Sequence, residues 1–179
     1  MNPIISPNIR IRHPEHFQVG PYSIIDDFCY FSTKVRIGIC SHVASGCSIG
    51  GGKRFTFELG DFSSLSSGVK IWCVSNDFVR DMVTIFPEDS QMDNLHEIVG
   101  NVIMKHFTAV GANSIVMPDN VIPEGTVIGA LSFVPPHFSF EPWTVYAGTP
   151  IRPINKRDRE NVLRQASQLQ DYLSAGLGV

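Results

Sequence analysis

The sequence lacks several features by which large classes of protein are recognised. Its formal net charge is −3 over 179 residues, and it has no basic stripe or arginine-rich arm, so nucleic-acid binding is not expected. No apolar run approaches the roughly 18 residues that a membrane-spanning helix needs. Residues 1–12 also lack the unbroken apolar stretch of a signal peptide. We therefore expect no membrane span and a cytoplasmic location.

The four cysteines show no metal-binding pattern. No two of them have the spacing of a CxxC motif, and Cys40 and Cys47 fall where a small apolar side chain would pack. Neither a zinc site nor a disulfide is expected. With 43% hydrophobic residues, a chain of this length can bury one continuous core.

What the sequence does contain is an apolar residue at every sixth position. The repeat forms three runs: Val19, Ile25, Phe31, Ile37, Val43 and Ile49; Leu59, Leu65 and Ile71; and Met104, Val110, Val116, Ile122, Ile128 and Val134. An amphipathic helix repeats its apolar face near 3.6 residues, and a half-buried strand near two. A period of six therefore predicts a short extended segment followed by a bend, with three such units in one triangular coil.

Stacked triangular coils make a parallel β-helix, an all-β solenoid in which each coil buries its apolar residues against its neighbours. The fourth position of many units is small or turn-forming, as a bend requires: Cys40, Gly46, Gly68, Asn113, Asp119 and Gly125. Lys34 departs from this rule, which predicts an irregular first coil.

The repeat is interrupted in three places. An irregular lead-in extends to about residue 18, and Gly and basic residues at 50–54 predict a short loop at one corner. Between about residues 76 and 102 the period disappears into a polar segment. A long polar loop in a compact solenoid is more often functional than idle, so this segment is predicted to be a functional excursion loop.

The repeats end at Pro135-Pro136, and a different pattern follows. Apolar residues within 158–173 recur at helical spacing, which predicts one amphipathic helix that packs on the solenoid end or on a neighbouring subunit. We therefore divide the chain into a solenoid domain, residues 1–157, and a C-terminal helix and tail, residues 158–179.

The Ile-Gly-x4 units, the excursion and the tail WTVYAGTPIR at 143–152 resemble the hexapeptide-repeat acyltransferases, whose fold is a left-handed parallel β-helix. The resemblance covers residues 19–157. The stretches SSGVKI at 66–71 and SNDF at 75–78 are closer to the sugar acetyltransferases of surface-polysaccharide biosynthesis than to the galactoside, maltose or serine acetyltransferases. The resemblance implies transfer of an acyl group, usually acetyl, from acetyl-CoA to a hydroxyl or amine of a sugar or nucleotide sugar. It also implies a homotrimer with active sites between subunits.

Such a transfer needs a base for the acceptor proton and a hydrogen-bond donor for the oxyanion. A thioester is already activated, so direct attack requires neither a protein nucleophile nor a metal. In the family the base is commonly a His at the start of the excursion loop, where this chain has Asn76-Asp77. We therefore place the base first at His42, which should point outward from the coil. Asp77 would orient it or receive the charge if the trimer puts one subunit's face against the next subunit's loop. His106 is the second candidate, and His96 or Asp77 would take the role if neither serves.

The coenzyme is expected along two runs of small residues, GANS at 111–114 and GALS at 129–132, against which an extended pantetheine arm would lie, as the family implies. The same residues would also simply turn the coil. Cations after the last coil suit the coenzyme's phosphates or, equally, a solvated strand. The candidate coenzyme-binding residues are Ala112, Ser114, Ala130, Ser132, Arg152, Lys156 and Arg157.

The acceptor is less well defined by the sequence. The candidate acceptor-binding residues are Asn76, Phe78, Arg80 and His96. Aromatic rings would offer a platform for a sugar, acids in the loop such as Asp81 would suit an amino-sugar cation, and Arg80 would suit a nucleotide diphosphate. O-acylation and N-acylation both stay open.

Two other classes of protein also stay open. A β-helix can serve as a non-catalytic binding module, or as a metal-dependent, carbonic-anhydrase-like enzyme. The metal enzyme would need three suitably spaced His ligands, which His42, His96 and His106 do not clearly provide. A purely structural solenoid would present regular surface ladders rather than a polar loop.

Overall fold

A computed structural model describes residues 1–93 and 96–176; the last three residues of the expected tail lie outside this range. The strands are β1 Ile4–Ile5, β2 Arg10–Ile11, β3 Phe17–Val19, β4 Ile24–Ile25, β5 Tyr30–Ile37, β6 His42–Val43, β7 Ser48–Leu59, β8 Ser64–Leu65, β9 Lys70–Trp72, β10 Val74–Asn76, β11 Glu97–Val99, β12 Val102–Met104, β13 Ala109–Val110, β14 Ile115–Val116, β15 Asn120–Ile122, β16 Val127–Ile128, β17 Phe133–Val134, β18 Thr144–Ala147 and β19 Arg152–Lys156. Short 3₁₀ helices span Pro14–His16 and Glu88–Ser90, and the helix α1 spans Arg159–Gly176. No helix in the described part of the chain is long and apolar enough to cross a membrane.

The strands stack into the three faces of a left-handed parallel β-helix of about seven turns. Face 1 contains β1, β4, β6, β8, β13, β16 and β18. Face 2 contains β2, the first parts of β5 and β7, then β9, β14 and β17. Face 3 contains β3, the last parts of β5 and β7, then β12 and β15. The predicted solenoid is therefore confirmed, with parallel pairing along each face.

The six-residue repeat supplies the core. Of its fifteen residues, all except Val19 are at most 5% exposed. Val19 is half-buried because it belongs to the first turn, which has a neighbouring turn on one side only. Full burial of an aliphatic side chain stabilises a fold by about 1.5–3 kcal/mol, so the stacked column of repeat residues supplies most of the driving force for folding.

The bends occur at the fourth position of the units, as the sequence predicts. Cys40, Gly46, Gly68, Asn113, Asp119 and Gly125 all have φ between 50° and 73°, in the left-handed region. Large side chains occupy the same conformation at other corners, which the sequence did not reveal: Tyr22, Phe28, Phe62, Phe107, Leu131, His137 and Trp143. Lys34 has no such bend, because β5 continues through this corner from face 2 to face 3.

Three segments that exceed the six-residue spacing lie at the corner between faces 2 and 3, which we call the excursion corner; the first of them is only the last part of the irregular lead-in. Here Ile11 and Val19, Ile49 and Leu59, and Ile71 and Met104 are separated by 8, 10 and 33 residues instead of six. Two ion pairs connect the three insertions along the corner. Lys53 lies 3.2 Å from Glu15 of the first insertion, and Arg54 pairs with Glu97 of the third.

Residues 50–54 are not the separate loop that the sequence predicts. They remain within the extended strand β7, whose extra residues bulge at the excursion corner. The buried Thr33 hydroxyl lies 3.0 Å from the carbonyl of Gly52 and 2.7 Å from that of Phe55, within hydrogen-bonding distance of both ends of the bulge. This hydroxyl can donate to one of the two carbonyls at a time, and it lies between them where the bulge leaves the regular pairing.

The long excursion is predicted at 76–102, but it opens on an ordered stem. Strands β10 and β11 pair antiparallel, with Asn76 opposite Glu97. The irregular part of the loop therefore lies between these two residues, and β12 begins at Val102 within the predicted range. The stem fixes where both ends of the loop leave the solenoid.

The C-terminal helix forms close to its predicted bounds but packs elsewhere than on the solenoid end. Asp158 caps it, because its Oδ1 accepts the Asn161 N–H at 3.0 Å. The buried Ala166 faces the corner between faces 3 and 1, where Phe62 and Phe107 stack. We call this the aromatic corner; its third ring is Trp143, 6.1 Å from Phe107. The stacked rings offer an apolar surface on the flank of the solenoid, which the helix covers.

Candidate active site

Histidine–aspartate pairs recur on the surface of the solenoid. The shortest nitrogen–oxygen distances are His42 Nε2 to Asp26 Oδ2, 2.9 Å; His96 Nδ1 to Asp81 Oδ1, 2.7 Å; His106 Nδ1 to Asp61 Oδ2, 3.4 Å; and His137 Nδ1 to Asp119 Oδ2, 2.6 Å. Which ring nitrogen is bonded differs among the pairs. That difference decides which imidazole can accept a proton.

His96 and Asp81 close the excursion loop above its stem. The Asp81 carboxylate accepts the backbone N–H of His96 and its ring Nδ1–H, both at 2.7 Å. With Nδ1–H donating, the neutral ring keeps a lone pair on Nε2. The Asp81 side chain is 10% exposed, whereas that of His96 is 42% exposed. The loop therefore presents an oriented imidazole on a well-covered carboxylate.

The two hydrogen bonds from His96 also change the pKa of the Asp81 carboxyl group. Hydrogen bonds from the His96 side chain and, next, its backbone lower the pKa of Asp81 below the ordinary range of an aspartate. Asp81 therefore stays ionised at neutral pH and can stabilise a positive charge on the imidazole. The sequence indicates His96 as a candidate but not its pairing with Asp81, because no periodic pattern relates two positions within an irregular loop.

Asp77 is committed to a turn at the start of the loop. Its Oδ1 accepts the Val79 N–H at 2.9 Å, and its Oδ2 lies 2.9 Å from Arg80 Nε. The Val79 N–H is the main cause that lowers the pKa of Asp77, with Arg80 adding to it. A lowered pKa makes Asp77 a weak base at neutral pH.

Within one chain His42 pairs with Asp26 and not with Asp77, so the predicted pairing with Asp77 requires the loop of a neighbouring subunit. His42 points outward from β6 on face 1, as predicted, but its Nε2 is hydrogen-bonded to Asp26 of the preceding coil. Stacked coils place these two residues side by side, a proximity that spacing along the chain conceals. Nδ1 of His42 keeps its lone pair, so His42 is a second oriented imidazole.

His106 is a poor candidate base as it is placed. Its Nδ1 accepts the backbone N–H of Asp61 at 3.0 Å. The neutral ring must then carry its proton on Nε2, which leaves neither nitrogen free to take another. His106 also borders a shallow pocket of about 260 Å³ on face 3, which Arg36 and Lys105 help to line.

The predicted coenzyme residues differ in accessibility. The serines are buried: the Ser114 hydroxyl donates to the carbonyl of Gly129 at 2.9 Å and accepts the N–H of Ser132 at 3.1 Å. The Ser132 hydroxyl donates to the same carbonyl at 2.8 Å. Both side chains join successive corners of the coil, so neither hydroxyl is exposed to a coenzyme on the surface of this chain. Ala112 is half-buried and Ala130 is exposed at the same corners.

The three predicted phosphate-binding cations also differ in their exposure to solvent. Arg152 and Lys156 lie exposed on β19, with Lys156 Nζ 2.6 Å from Glu141 Oε2. Arg157 is half-buried, and its guanidinium donates to the carbonyls of Phe107 and Gly125. Burial lowers the pKa of Arg157. Arg157 therefore joins the helix to the aromatic corner, a structural contact that its position in the sequence did not reveal.

The four predicted acceptor residues come together at the excursion. Asn76 ends β10, Phe78 and Arg80 follow with largely exposed side chains, and His96 precedes β11. The Asp77 N–H donates to the His96 carbonyl at 3.1 Å and joins the two ends. Within residues 1–93 and 96–176, no three His, Cys, Asp or Glu side chains lie close enough together to hold a metal ion.

Comparison with known proteins shows the family of this chain. No family model matches the sequence. The chain is 32% identical over 149 residues to the dTDP-4-amino-4,6-dideoxy-D-glucose acyltransferase of Escherichia coli. The aligned region covers 82% of this chain and 74% of that protein.

Solved structures give the same result. A point variant of AntD, an N-acyltransferase from Bacillus cereus, in complex with dTDP-4-amino-4,6-dideoxyglucose and coenzyme A superposes with a TM-score of 0.84 at 33% identity. The match covers 95% of this chain and 88% of that one. AntD in complex with dTDP and 3-hydroxybutyryl-CoA gives 0.83 at 33% identity, over 96% of this chain and 88% of that one. Shared identity along almost the whole of one β-helix shows that the chain belongs to the hexapeptide-repeat acyltransferases and is an enzyme that takes its acyl group from an acyl-CoA.

Proposed function

We propose that the enzyme transfers an acyl group from acyl-CoA to the amino group of a dTDP-linked amino sugar, giving an amide and free coenzyme A. The observation that carries this proposal is the 32% identity, over 82% of the chain, to an acyltransferase named for dTDP-4-amino-4,6-dideoxy-D-glucose. The AntD complex with the same sugar nucleotide supports it. The proposal selects N-acylation over O-acylation. An acylated sugar nucleotide suits the assembly of a surface polysaccharide.

The chemistry requires that one proton be moved. The neutral amine attacks the thioester carbonyl, the C–N bond forms, and the C–S bond breaks with coenzyme A leaving as its thiolate. The nitrogen of the tetrahedral intermediate carries a positive charge until a base removes its proton. Since no covalent enzyme intermediate is needed, the chain's own residues bind, orient and accept that proton.

His96 is the base that the geometry supports best. With Nδ1–H donated to Asp81, the neutral ring has its lone pair on Nε2, and Asp81 orients the ring and stabilises the charge that the imidazole gains. His42 with Asp26 is the alternative base, since the neutral ring that donates through Nε2 has its lone pair on Nδ1. Asp77 serves by shaping the turn that joins the start of the loop to His96.

Arg80 is the residue that suits the diphosphate of the acceptor. Its side chain is 65% exposed, and within residues 1–93 and 96–176 Asp77 is the one carboxylate with which its guanidinium pairs, through Nε. The other donors of the guanidinium remain available to phosphate oxygens, which accept bidentate hydrogen bonds from arginine. Phe78, two residues earlier, is exposed and would lie against the apolar side of the sugar or base.

We infer that the enzyme is a homotrimer in which the excursion loop of one subunit packs on the next. The loop exposes an unusual number of apolar side chains: Phe78, Val79, Met82, Val83, Ile85 and Met92. Many exposed apolar side chains within one loop are typical of a segment that packs on a partner. Packing on a neighbour would bring the loop, with His96, against the small-residue corners of that neighbour, where the coenzyme is expected.

The test is incubation of the purified enzyme with acetyl-CoA or 3-hydroxybutyryl-CoA and dTDP-4-amino-4,6-dideoxyglucose, followed by mass spectrometry. We expect a sugar nucleotide heavier by one acyl group, together with release of one thiol. The matched control acceptor carries a 4-hydroxyl in place of the 4-amine. Equal acylation of this control would support an O-acyltransferase, and acylation of neither acceptor would contradict the proposal.

A further inference from the structure

The extra residues of β7 carry two exposed cations, Lys53 and Arg54, out of the coil at the excursion corner. The pairing of β7 with β5 shifts register at this point, so both residues lie outside the regular ladder. The Thr33 hydroxyl lies between the carbonyls of Gly52 and Phe55, a position from which it holds the bulge. Bulges commonly re-aim a side chain beside an active site, and here the bulge aims Arg54 toward the excursion loop.

Arg54 joins the frame of the solenoid to the base of the loop. On the solenoid side its guanidinium lies over the Phe55 ring, 5.4 Å from the ring centre, and Phe55 packs against the core. On the loop side it donates a hydrogen bond to the carboxylate of Glu97, the first residue of β11. The contact with the ring limits the freedom of the arginine, so the ion pair is made by a side chain that is already oriented.

Glu97 follows His96 in the chain, so the ion pair acts at the residue next to the proposed base. The Asp81 carboxylate orients the imidazole, but Asp81 belongs to the loop, and its contact fixes the ring only relative to the loop. The Asp77 N–H closes the stem on the His96 carbonyl at 3.1 Å, and Arg54 ties this closed stem to the solenoid. A displacement of about 1 Å at a catalytic group can lower a rate about a hundredfold, so the attachment of the stem bears on turnover.

We propose that Arg54 is a positioning residue of the acyl transfer, which acts through Glu97 to fix the base of the excursion loop and with it the position of His96. The proposal rests on the assignment of His96 as the base in the proposed function. The side chains of the pair are 62% and 31% exposed, and an ion pair at the surface shifts an equilibrium by up to about fivefold. The expected effect on turnover is therefore much smaller than that of removing the base itself.

The test measures steady-state kinetics of Arg54→Gln and Arg54→Lys. Arg54→Gln should lower kcat about threefold to fivefold and leave the KM for acyl-CoA unchanged, because the substitution alters the placement of the base and not the binding of the donor. Arg54→Lys keeps the charge and should recover part of the loss. The acid limb of the pH–rate profile should stay at its wild-type position in both variants, because the contact between His96 and Asp81 is retained.

An exchange of charges tests the route through Glu97. Arg54→Glu and Glu97→Arg alone should each lower kcat about fivefold to tenfold, and the double variant should return it to within about threefold of the wild-type value. The matched control is Arg36→Gln. The pair of Arg36 with Glu58 has a similar exposure, 67% and 37%, but joins two strands of the solenoid, so its loss should leave kcat unchanged.

Hydrogen exchange without substrates separates this proposal from the proposed function. In Arg54→Gln the amide of Asp77 should exchange about threefold to fivefold faster than in the wild-type protein, and in Arg36→Gln its rate should not change. If the wild-type enzyme does not acylate the amino sugar, or if His96→Ala keeps its activity, the proposed function fails while the exchange result stands.

Four results would overturn the proposal. An unchanged kcat in Arg54→Gln, or an equal loss in Arg36→Gln, would mean that this ion pair has no particular role in transfer. Unchanged exchange of the Asp77 amide would mean that other contacts hold the stem. A charge exchange that restores no activity would mean that Arg54 contacts an anionic group of a substrate directly instead of acting through Glu97.

Discussion

At the scale of single residues, the useful distinction among the histidines is which ring nitrogen is already bonded. His96 and His42 each donate to a carboxylate and keep one lone pair. His106 has used its lone pair to accept a backbone N–H. Exposure alone does not separate the three, because each side chain is about half exposed. Direction of hydrogen bonding therefore ranks candidates that the sequence leaves equal.

The first prediction concerns the base. His96→Ala should lower kcat by about a hundredfold or more, as loss of a general base does, while the KM for acyl-CoA changes little. Asp81→Asn should lower kcat less and shift the acid limb of the pH–rate profile, because the imidazole loses its orienting carboxylate. Steady-state kinetics with dTDP-4-amino-4,6-dideoxyglucose measure both effects.

The control for this prediction is His137→Ala. His137 also forms an exposed pair with an aspartate, 2.6 Å from Asp119, but at a corner of the last coils and outside the loop. Its loss should leave turnover unchanged. If His42→Ala removes activity and His96→Ala does not, the base is His42 and the assignment made here is wrong.

The second prediction separates backbone strain from steric overlap at two glycines. Gly52 and Gly125 have φ of +64° and +71°, but a Cβ at Gly52 would meet nothing within 4 Å, whereas one at Gly125 would lie 2.3 Å from the Trp143 ring. Gly52→Ala should cost about 1 kcal/mol of unfolding free energy. Gly125→Ala should cost about 1–3 kcal/mol more, because the ring must move. Urea denaturation measures both, and equal losses would show that the Trp143 contact does not constrain the fold.

At the scale of elements, the excursion is an insertion on a preformed stem. Asn76 and Glu97 face each other across the antiparallel pair of β10 and β11, which is where a two-residue turn can close a hairpin. The third prediction is that replacing residues 77–96 by Asn-Gly leaves the solenoid folded and coenzyme A bound but abolishes transfer. Circular dichroism, calorimetry with coenzyme A and the transfer assay check it. Retained transfer would show that neither His96 nor Arg80 takes part.

The fourth prediction concerns acid. The pKa of Asp81 is lowered in the folded state, so its contribution to loop closure is complete above the ordinary aspartate pKa of about 3.9 and is lost as pH falls through the lower folded value. The protection of the His96 amide against hydrogen exchange should therefore fall in that acid range. Asp81→Asn should show weak protection at every pH. Full protection at low pH would mean that other contacts hold the loop.

At the scale of the whole molecule, the main expectation is that three copies of the chain assemble into a trimer. The fifth prediction is that the enzyme sediments as a trimer. Ile85 is 93% exposed in the single chain, and the charge introduced by Ile85→Asp should shift the enzyme toward monomers and reduce its activity. Phe28→Asp is the control, since Phe28 is also exposed but lies at a corner of an early coil, away from the excursion. Analytical ultracentrifugation distinguishes the two. A monomeric wild-type enzyme would contradict the trimer.

The sequence predicts the solenoid well because one physical rule, burial at every sixth residue, acts on every coil. It predicts the corners where the fourth residue is small, and misses Phe62, Phe107 and Trp143, whose left-handed φ is compensated by stacking between turns. The site is less predictable. Pairs such as His42 with Asp26 form because residues about one coil apart become neighbours, and no local pattern reports which partner each side chain selects.

The excursion corner has a consequence for how such enzymes diversify. Its three insertions differ greatly in length, yet the strands on both sides keep their register with the next turn. Lengthening a flexible segment costs only about 0.6 kcal/mol for each doubling, since the ends are already fixed. A new acceptor can therefore be accommodated by replacing the long insertion at the excursion corner. The coils that are expected to hold the donor need not change when this insertion does.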